Sequence, residues 1–231
     1  MFDHKANIEF FFRYASSAKE VLDIGAGTGR IALPLAGRGV EVVCVEPSPA
    51  MRREFEMKLA RQPDLSTRIR LVAGRANSFD LGRTFSVAFL SGCFDHFLDD
   101  KERISSLANI ARHLDTKGIL LFDVFLGLMG DSPLSPAGTV RVDTKEYRRL
   151  VGGKVLSGHK KETQLVFETY DGGELIERVE EISLVGITSK RGIHRALAKS
   201  GFAVREEWGD YDFTPYQEGG SLLVIEAVKQ D

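Results

Sequence analysis

Cysteine is scarce: Cys44 and Cys93 are the only two in 231 residues. Two cysteines make neither a disulfide framework nor a zinc-ligand cluster, so no metal is expected, and they fit the reducing cytoplasm. Neither sign of charge dominates. The net charge of −2 excludes a global basic field that would draw the chain to nucleic acid or to an anionic membrane. Long apolar runs are missing too. The strongest, GILLFDVFLGLM (118–129), is too short to span a bilayer and contains Asp123. The N-terminal MFDHKANIEFFFRYASSAKE scatters charges and lacks a basic start followed by an apolar stretch, so no signal peptide is expected. Repeats and low-complexity tracts are absent. What is present is the ordinary balance of a globular domain, 43 % hydrophobic and 28 % charged.

Strand and helix patterns alternate through the first half. EVLDIG (20–25), EVVCVE (41–46), RIRLVAG (68–74), FSVAFLSG (85–92) and GILLFDVF (118–125) read as buried strands. RIALPLAGRG (30–39) reads as a short helix closed by glycine. SPAMRREFEMKLARQ (48–62) reads as a helix with Ser48 as cap and Pro49 at the first helical position. DKERISSLANIARHL (100–114) carries a helical apolar stripe. Such alternation implies a doubly wound, mostly parallel sheet with helices on both faces. The texture changes at GLMGDSPLSPAG (127–138), which reads as a loop. From Thr139 to about Gly186 residues alternate, and Asp171-Gly172-Gly173 signals a hairpin. Lys and Arg crowd 139–161 and Glu crowds 162–181, which reads as cross-strand ion pairing in preference to a basic binding face. Helix and strand return at 189–204, and SLLVIEAVK (221–229) closes the sheet.

VLDIGAGTGR (21–30) places Gly25, Gly27 and Gly29 directly after a buried strand. Glycine lets backbone touch a ligand and accepts positive φ. The crevice beyond the carboxyl ends of parallel strands is where open α/β sheets bind ligands. A dinucleotide fingerprint would need a third glycine where Arg30 stands, so NAD is disfavoured.

VLDIGAGTGRIALPLAGRGVEVVCVEPSPAM resembles the cofactor loop of class I S-adenosylmethionine-dependent methyltransferases. The resemblance covers residues 20–125 well and the last strands loosely. It implies a Rossmann-like, seven-stranded, doubly wound sheet and S-adenosyl-L-methionine as cofactor, with S-adenosyl-L-homocysteine as product. By the same resemblance the loop Gly25, Ala26, Gly27 and Gly29 packs against the methionine part of the cofactor, and Asp23 orders the loop. Glu46, followed by Pro47, grips the ribose hydroxyls, and Met51 lies against adenine. After the third strand the family's usual Gly-Asp is replaced by Gly74-Arg75. Arginine has no acceptor, so adenine is expected to be read by the Ala76 backbone, by Asn77 or Ser78, or by Arg75 stacking.

Leu90 and Ser91 would flank the cofactor at the end of the fourth strand. Asp95 and His96 are the candidate catalytic pair beside the acceptor, with His96 the natural base for a hydroxyl. Tyr14 on an N-terminal lid helix, and Tyr211 and Tyr216 in the aromatic-rich last loop, are candidate substrate contacts. Cys93 reads as a small packing residue. No Asn/Asp-Pro-Pro-aromatic motif follows the fourth strand, which disfavours a flipped base as substrate. The expected acceptor is a nitrogen or oxygen of a small molecule. Residues 1–126 and 187–231 are expected to form the cofactor domain. Residues 127–186 are expected to form an antiparallel β insertion roofing the active site. In some relatives that excursion makes dimer contacts, which leaves a homodimer open. The rivals are a nicotinamide oxidoreductase and a non-catalytic cofactor-binding protein.

Overall fold

The computed structural model describes residues 4–128 and 130–231. The expectations that touch Met1–Asp3 and Met129 lie there outside the described residues. Helix α1 (His4–Ala15) leads into β1 (Glu20–Ile24), α2 (Ala32–Gly37), β2 (Glu41–Glu46), α3 (Pro49–Ala60), α4 (Pro63–Ser66) and β3 (Ile69–Ala73). Then come β4 (Phe85–Leu90), a 3-10 turn (Phe94–His96), α5 (Asp100–Arg112) and β5 (Leu114–Phe125). An excursion follows through β6 (Ser132–Val142), β7 (Lys145–Ser157), β8 (Lys160–Asp171) and β9 (Glu174–Gly186). The chain closes with α6 (Lys190–Lys199), β10 (Phe202–Trp208) and β11 (Leu222–Lys229).

Seven strands form one sheet in the order β10-β11-β5-β4-β1-β2-β3. The first five strands run parallel, while β11 pairs antiparallel with both β5 and β10. Chain direction across the sheet reverses between β1 and β4, and the crevice at that reversal is where ligands bind in open α/β sheets. Alternation along β1 sends Val21 to one face and Leu22 and Ile24 to the other. One core packs Leu22, Val43 and Leu120 under Leu107 of α5 and Ile193 of α6. The other packs Val21, Val42 and Phe89 under Phe10, Phe11 and Leu35 of α1 and α2. Phe10 meets Trp208 edge-on at 5.4 Å, so α1 is pinned to the sheet and the last loop.

Helix α3 starts where its residues dictate. Ser48 Oγ accepts from the Met51 N–H at 3.3 Å and Pro49 takes the first helical position. The hairpin turn falls at Gly172-Gly173, both with positive φ. Two expectations differ. The Pro/Ser-rich stretch read as a loop is extended from Ser132, within edge strand β6, and its two prolines cause register shifts. An edge strand tolerates proline because half its N–H groups need no partner. Strand β5 begins at Leu114, before 118, with Lys117 at φ 63 and a bulge against β4.

The four-stranded sheet, β6-β7-β8-β9, is separate from the first. No residue of it joins either hydrophobic core. On one face its charges pair across and along strands, as the charge pattern predicts. Glu146 holds Arg141 at 2.6 Å and also Arg148, and Arg178 meets Glu168 and Glu180 at 3.6 and 3.2 Å. Among the described residues no helix is long and apolar enough to cross a membrane.

Candidate functional site

The site begins at the turn that leaves β1. Gly25, Gly27 and Gly29 have φ of 70°, 58° and 85°. The N–H groups of Gly25 and Ala26 donate to the Val45 carbonyl at 2.8 and 3.3 Å, which ties the turn to β2. Two of the glycines are required for different reasons. A Cβ on Gly29 would sit 2.5 Å from the buried Phe55 ring. A Cβ on Gly27 would meet nothing within 4 Å. Gly27 therefore presents open space that a side chain would fill.

Glu46, at the end of β2, closes the turn. One carboxylate oxygen accepts from the Gly27 N–H at 2.8 Å and the other from the Ser48 N–H at 2.8 Å. Two cavities of about 440 Å³ each flank this point, and Gly25, Gly27, Met51 and Gly92 line both. The glycine turn is thus the saddle of one groove.

The first cavity has a buried acidic floor. Asp23 is almost fully buried, and its Oδ2 has no hydrogen-bond partner among the described residues. Burial raises its pKa to about 7; Arg30 opposes that shift and Glu46 adds to it. Asp123, from β5, accepts from Gly92 N–H at 2.6 Å, Ser91 Oγ at 2.8 Å and Tyr211 Oη at 2.9 Å. Burial raises its pKa as well, against those three hydrogen bonds. Arg30 donates to Ser91 Oγ at 3.1 Å and to Asn7 Oδ1. Asn7, Asp23, Arg30, Ser91, Asp123 and Tyr211 all line this cavity. They arrive from α1, β1, the glycine turn, the end of β4, β5 and the last loop.

Glu46, Pro47, Arg75, Ala76, Leu90 and His96 line the second cavity. Arg75 is exposed there, and the Ala76 carbonyl is taken by Asn109 Nδ2 at 3.0 Å. Cys93 lines it too, its Sγ donating to the Ile24 carbonyl at 3.3 Å. Burial pushes that thiol up, so it is a packing group and not a nucleophile.

The other expected residues divide. His96 is exposed on the second cavity, whereas Asp95 is turned inward and lines neither. Asp95 Oδ2 accepts from the Phe125 N–H at 3.2 Å, and burial raises the carboxyl to about 7. Tyr211 lines the first cavity. Tyr14 and Tyr216 line neither. Tyr14 donates to Glu226 in β11 at 2.8 Å, so α1 shows Asn7 to the cavity and Tyr14 to the sheet. Tyr216 donates to the Gly220 carbonyl at 3.2 Å, with Lys190 over its ring. Asn7, Arg30 and Asp123 are cavity residues absent from the sequence expectations. Asp123 was visible as the one charge in the most apolar run, and a carboxylate inside a buried strand needs a reason.

Three features bear on what could be held here: a positive-φ turn with room over Gly27, paired acceptor oxygens at Glu46, and an unpartnered buried carboxyl oxygen at Asp23. Together they fit a ligand that brings paired hydrogen-bond donors to Glu46 and a cationic group to Asp23. Among the described residues no cluster of three or more His, Cys, Asp or Glu is arranged to hold a metal ion.

Comparison with known proteins agrees with this geometry. Residues 21–118 match the family model described as a methyltransferase domain. The chain is 27 % identical over 192 residues to chondramide synthase cmdD of Chondromyces crocatus, covering 78 % of this chain and 5 % of that one. It is 32 % identical over 123 residues to a glycine/sarcosine N-methyltransferase of Parasynechococcus marenigrum, covering 52 % and 43 %. The chain thus spans less than half the length of these curated relatives. Among solved structures, an S-adenosylmethionine-dependent methyltransferase from Clostridium acetobutylicum superposes with a TM-score of 0.81 at 16 % identity, covering 99 % and 93 %. CalS10, an amino pentose methyltransferase from Micromonospora echinaspora, gives 0.75 at 22 %, covering 99 % and 91 %. At such identities the likeness establishes the fold.

Proposed function

We propose that the chain is a class I S-adenosylmethionine-dependent methyltransferase, a reading supported by the match of residues 21–118 to a methyltransferase domain, and that it methylates a nitrogen or oxygen of a small molecule in the cytoplasm. The observation that carries the reading is the glycine turn saddled between two cavities and closed by Glu46. In this reading Gly25, Ala26, Gly27 and Gly29 leave room for the cofactor. Glu46 turns its two oxygens to the ribose hydroxyls, since a carboxylate supplies paired acceptors to vicinal donors. Pro47, Met51, Arg75 and Ala76 form the adenine end, and Leu90 and Ser91 flank the middle. Asp23 offers its unpartnered oxygen to a cationic group.

When bound, the cofactor supplies an electrophilic methyl group on a sulfonium. The chain's own residues orient and deprotonate the acceptor. Nitrogen is favoured as the acceptor atom because the first cavity is floored by carboxyl groups, which attract an amine in its ammonium form. The N-methyltransferase names among its relatives point the same way. Asp95, turned inward onto the Phe125 N–H, ties the 3-10 turn to the end of β5 and so positions His96, the member of the pair that reaches a cavity, as the acceptor's base. His96 holds the acceptor from the second cavity, and Tyr211, fixed as a donor to Asp123, keeps lone pairs for a substrate N–H. Residues 127–186 roof the acceptor, while 1–126 and 187–231 carry the cofactor.

The nicotinamide rival fares worse. Arg30 stands where a dinucleotide fold needs glycine, and its guanidinium is spent on Asn7 and Ser91. Calorimetric titration with S-adenosylmethionine, S-adenosylhomocysteine and NAD tests the reading. Binding of the sulfonium compound and its product in the micromolar range, with none for NAD, is the expected result. NAD binding alone would sink it.

A further inference from the structure

Helix α5 carries polar residues at Glu102, Ser106 and Asn109. Spacings of four and three put them on one stripe of the helix. That stripe faces the turn after β3. Asn109 Nδ2 donates to the Ala76 and Phe79 carbonyls, both at 3.0 Å. Glu102 and Ser106 line the second cavity together with Arg75, Ala76 and Asn77. Ser106 is 1 % exposed, and its Oγ has no hydrogen-bond partner among the described residues. A serine inside a helix ordinarily points to solvent or bonds back to a carbonyl one turn earlier. Ser105 does the latter, donating to the Glu102 carbonyl at 3.0 Å. Ser106 does neither, and a buried hydroxyl without a partner is destabilising unless a ligand completes it.

Glu102 is engaged on one side only. Its Oε2 accepts from the Leu98 N–H at 3.0 Å, and among the described residues Oε1 has no hydrogen bond or ion pair. Helix α5 thus offers the cavity a carboxylate oxygen and, one turn further on, a hydroxyl. The turn on the opposite wall offers less, since Arg75 has no acceptor and the Ala76 carbonyl is taken by Asn109. The pairing edge of adenine sets an amino donor beside a ring-nitrogen acceptor. An acceptor and a donor side by side are its complement. We propose that Glu102 and Ser106 read the adenine of the cofactor: Glu102 Oε1 accepts from the exocyclic amino group, and Ser106 Oγ donates to the adjacent ring nitrogen. The inference rests on the cofactor reading above and adds two residues of α5 to it. It also sets a specificity. A 6-oxo base would turn a carbonyl toward Glu102, and two acceptors facing each other repel.

Calorimetric titration of the full chain with S-adenosylhomocysteine and with S-inosylhomocysteine, its 6-oxo analogue, tests it. The unmodified chain should prefer the adenine compound by at least about tenfold, the scale of one charged hydrogen bond. Glu102→Gln keeps an oxygen for the Leu98 N–H and turns its amide nitrogen to the cavity, so the preference should vanish or invert. Ser106→Ala should bind S-adenosylhomocysteine roughly three- to tenfold more weakly. Its Tm without ligand should not fall, because that hydroxyl has no partner in the chain to lose. An unmodified chain that binds both compounds alike overturns the proposal. So does a preference that survives both variants and is lost in Asn77→Ala, which would give the edge to the turn after β3. A lowered Tm in Ser106→Ala marks the hydroxyl as structural and overturns its role. Failure of the unmodified chain to bind either compound sinks the cofactor reading and this inference with it. Binding of S-adenosylhomocysteine that neither α5 variant alters sinks this inference alone.

Discussion

Glu46 is engaged within the chain itself, with both oxygens on backbone N–H groups of the residues that shape the turn. Glu46→Ala should therefore weaken S-adenosylhomocysteine binding by roughly 1.5–3 kcal/mol, the scale of a charged hydrogen bond. Calorimetry gives that directly, and unchanged affinity would remove Glu46 from the site. The buried carboxyls make a second prediction. Asp95 has an ordinary pKa of 3.8, raised to about 7 in the fold. Between those values the folded chain binds more protons than the unfolded one, so stability falls as pH rises from about 4 to about 7. Asp23 adds to the slope in the same sense. Asp95→Asn keeps an acceptor for the Phe125 N–H and removes the charge. Denaturant unfolding should find the variant more stable than the parent at pH 8, with a gain bounded by roughly 1.4 kcal/mol per pKa unit, and about equal at pH 4. At this scale the sequence carried Glu46, Asp23 and Tyr211 to the groove because strand ends and loops are local features. It could not carry Asn7, Arg30 and Asp123. Their contacts join residues up to 88 positions apart, as Asp123 and Tyr211 are, and no spacing rule spans that. Tyr14 lies off the cavity for an axial reason: it shares Asn7's face of α1 but stands about two turns further along, where it bonds Glu226 instead.

The glycine turn separates stability from binding within one element. Gly29→Ala would drive a methyl group into Phe55 while forcing positive φ on alanine, at a cost of roughly 2–4 kcal/mol. Gly27→Ala has only the backbone cost, about 1–2 kcal/mol, because its methyl group enters open space. That open space is the cavity, so Gly27→Ala should fold and lose cofactor affinity, whereas Gly29→Ala should show first as a lowered Tm. Thermal melts with and without S-adenosylhomocysteine distinguish the two. If Gly27→Ala kept full affinity, the ligand would not lie over the turn. Elements of this kind were legible: the strand, the glycines, the Ser48 cap and the Gly172-Gly173 hairpin each follow from local chemistry. The start of β6 was not, because Pro133 and Pro136 look like loop residues until an edge position makes their missing N–H groups harmless.

Across the whole molecule the two sheets live on different terms. The seven-stranded sheet is clad on both faces by helices and supplies every residue of both cores that comes from a strand. The four-stranded sheet has few fully buried apolar side chains; Val166 and Val185 are the ones its strands provide. Its strands are joined by backbone ladders interrupted by register shifts, and ladders alone seldom hold a sheet together in water. Amide exchange in residues 139–184 should therefore run faster than in β1, β4 and β5, since opening the smaller sheet uncovers little apolar surface. The molecule would then soften in two stages, the excursion giving way in denaturant before the body that carries the groove.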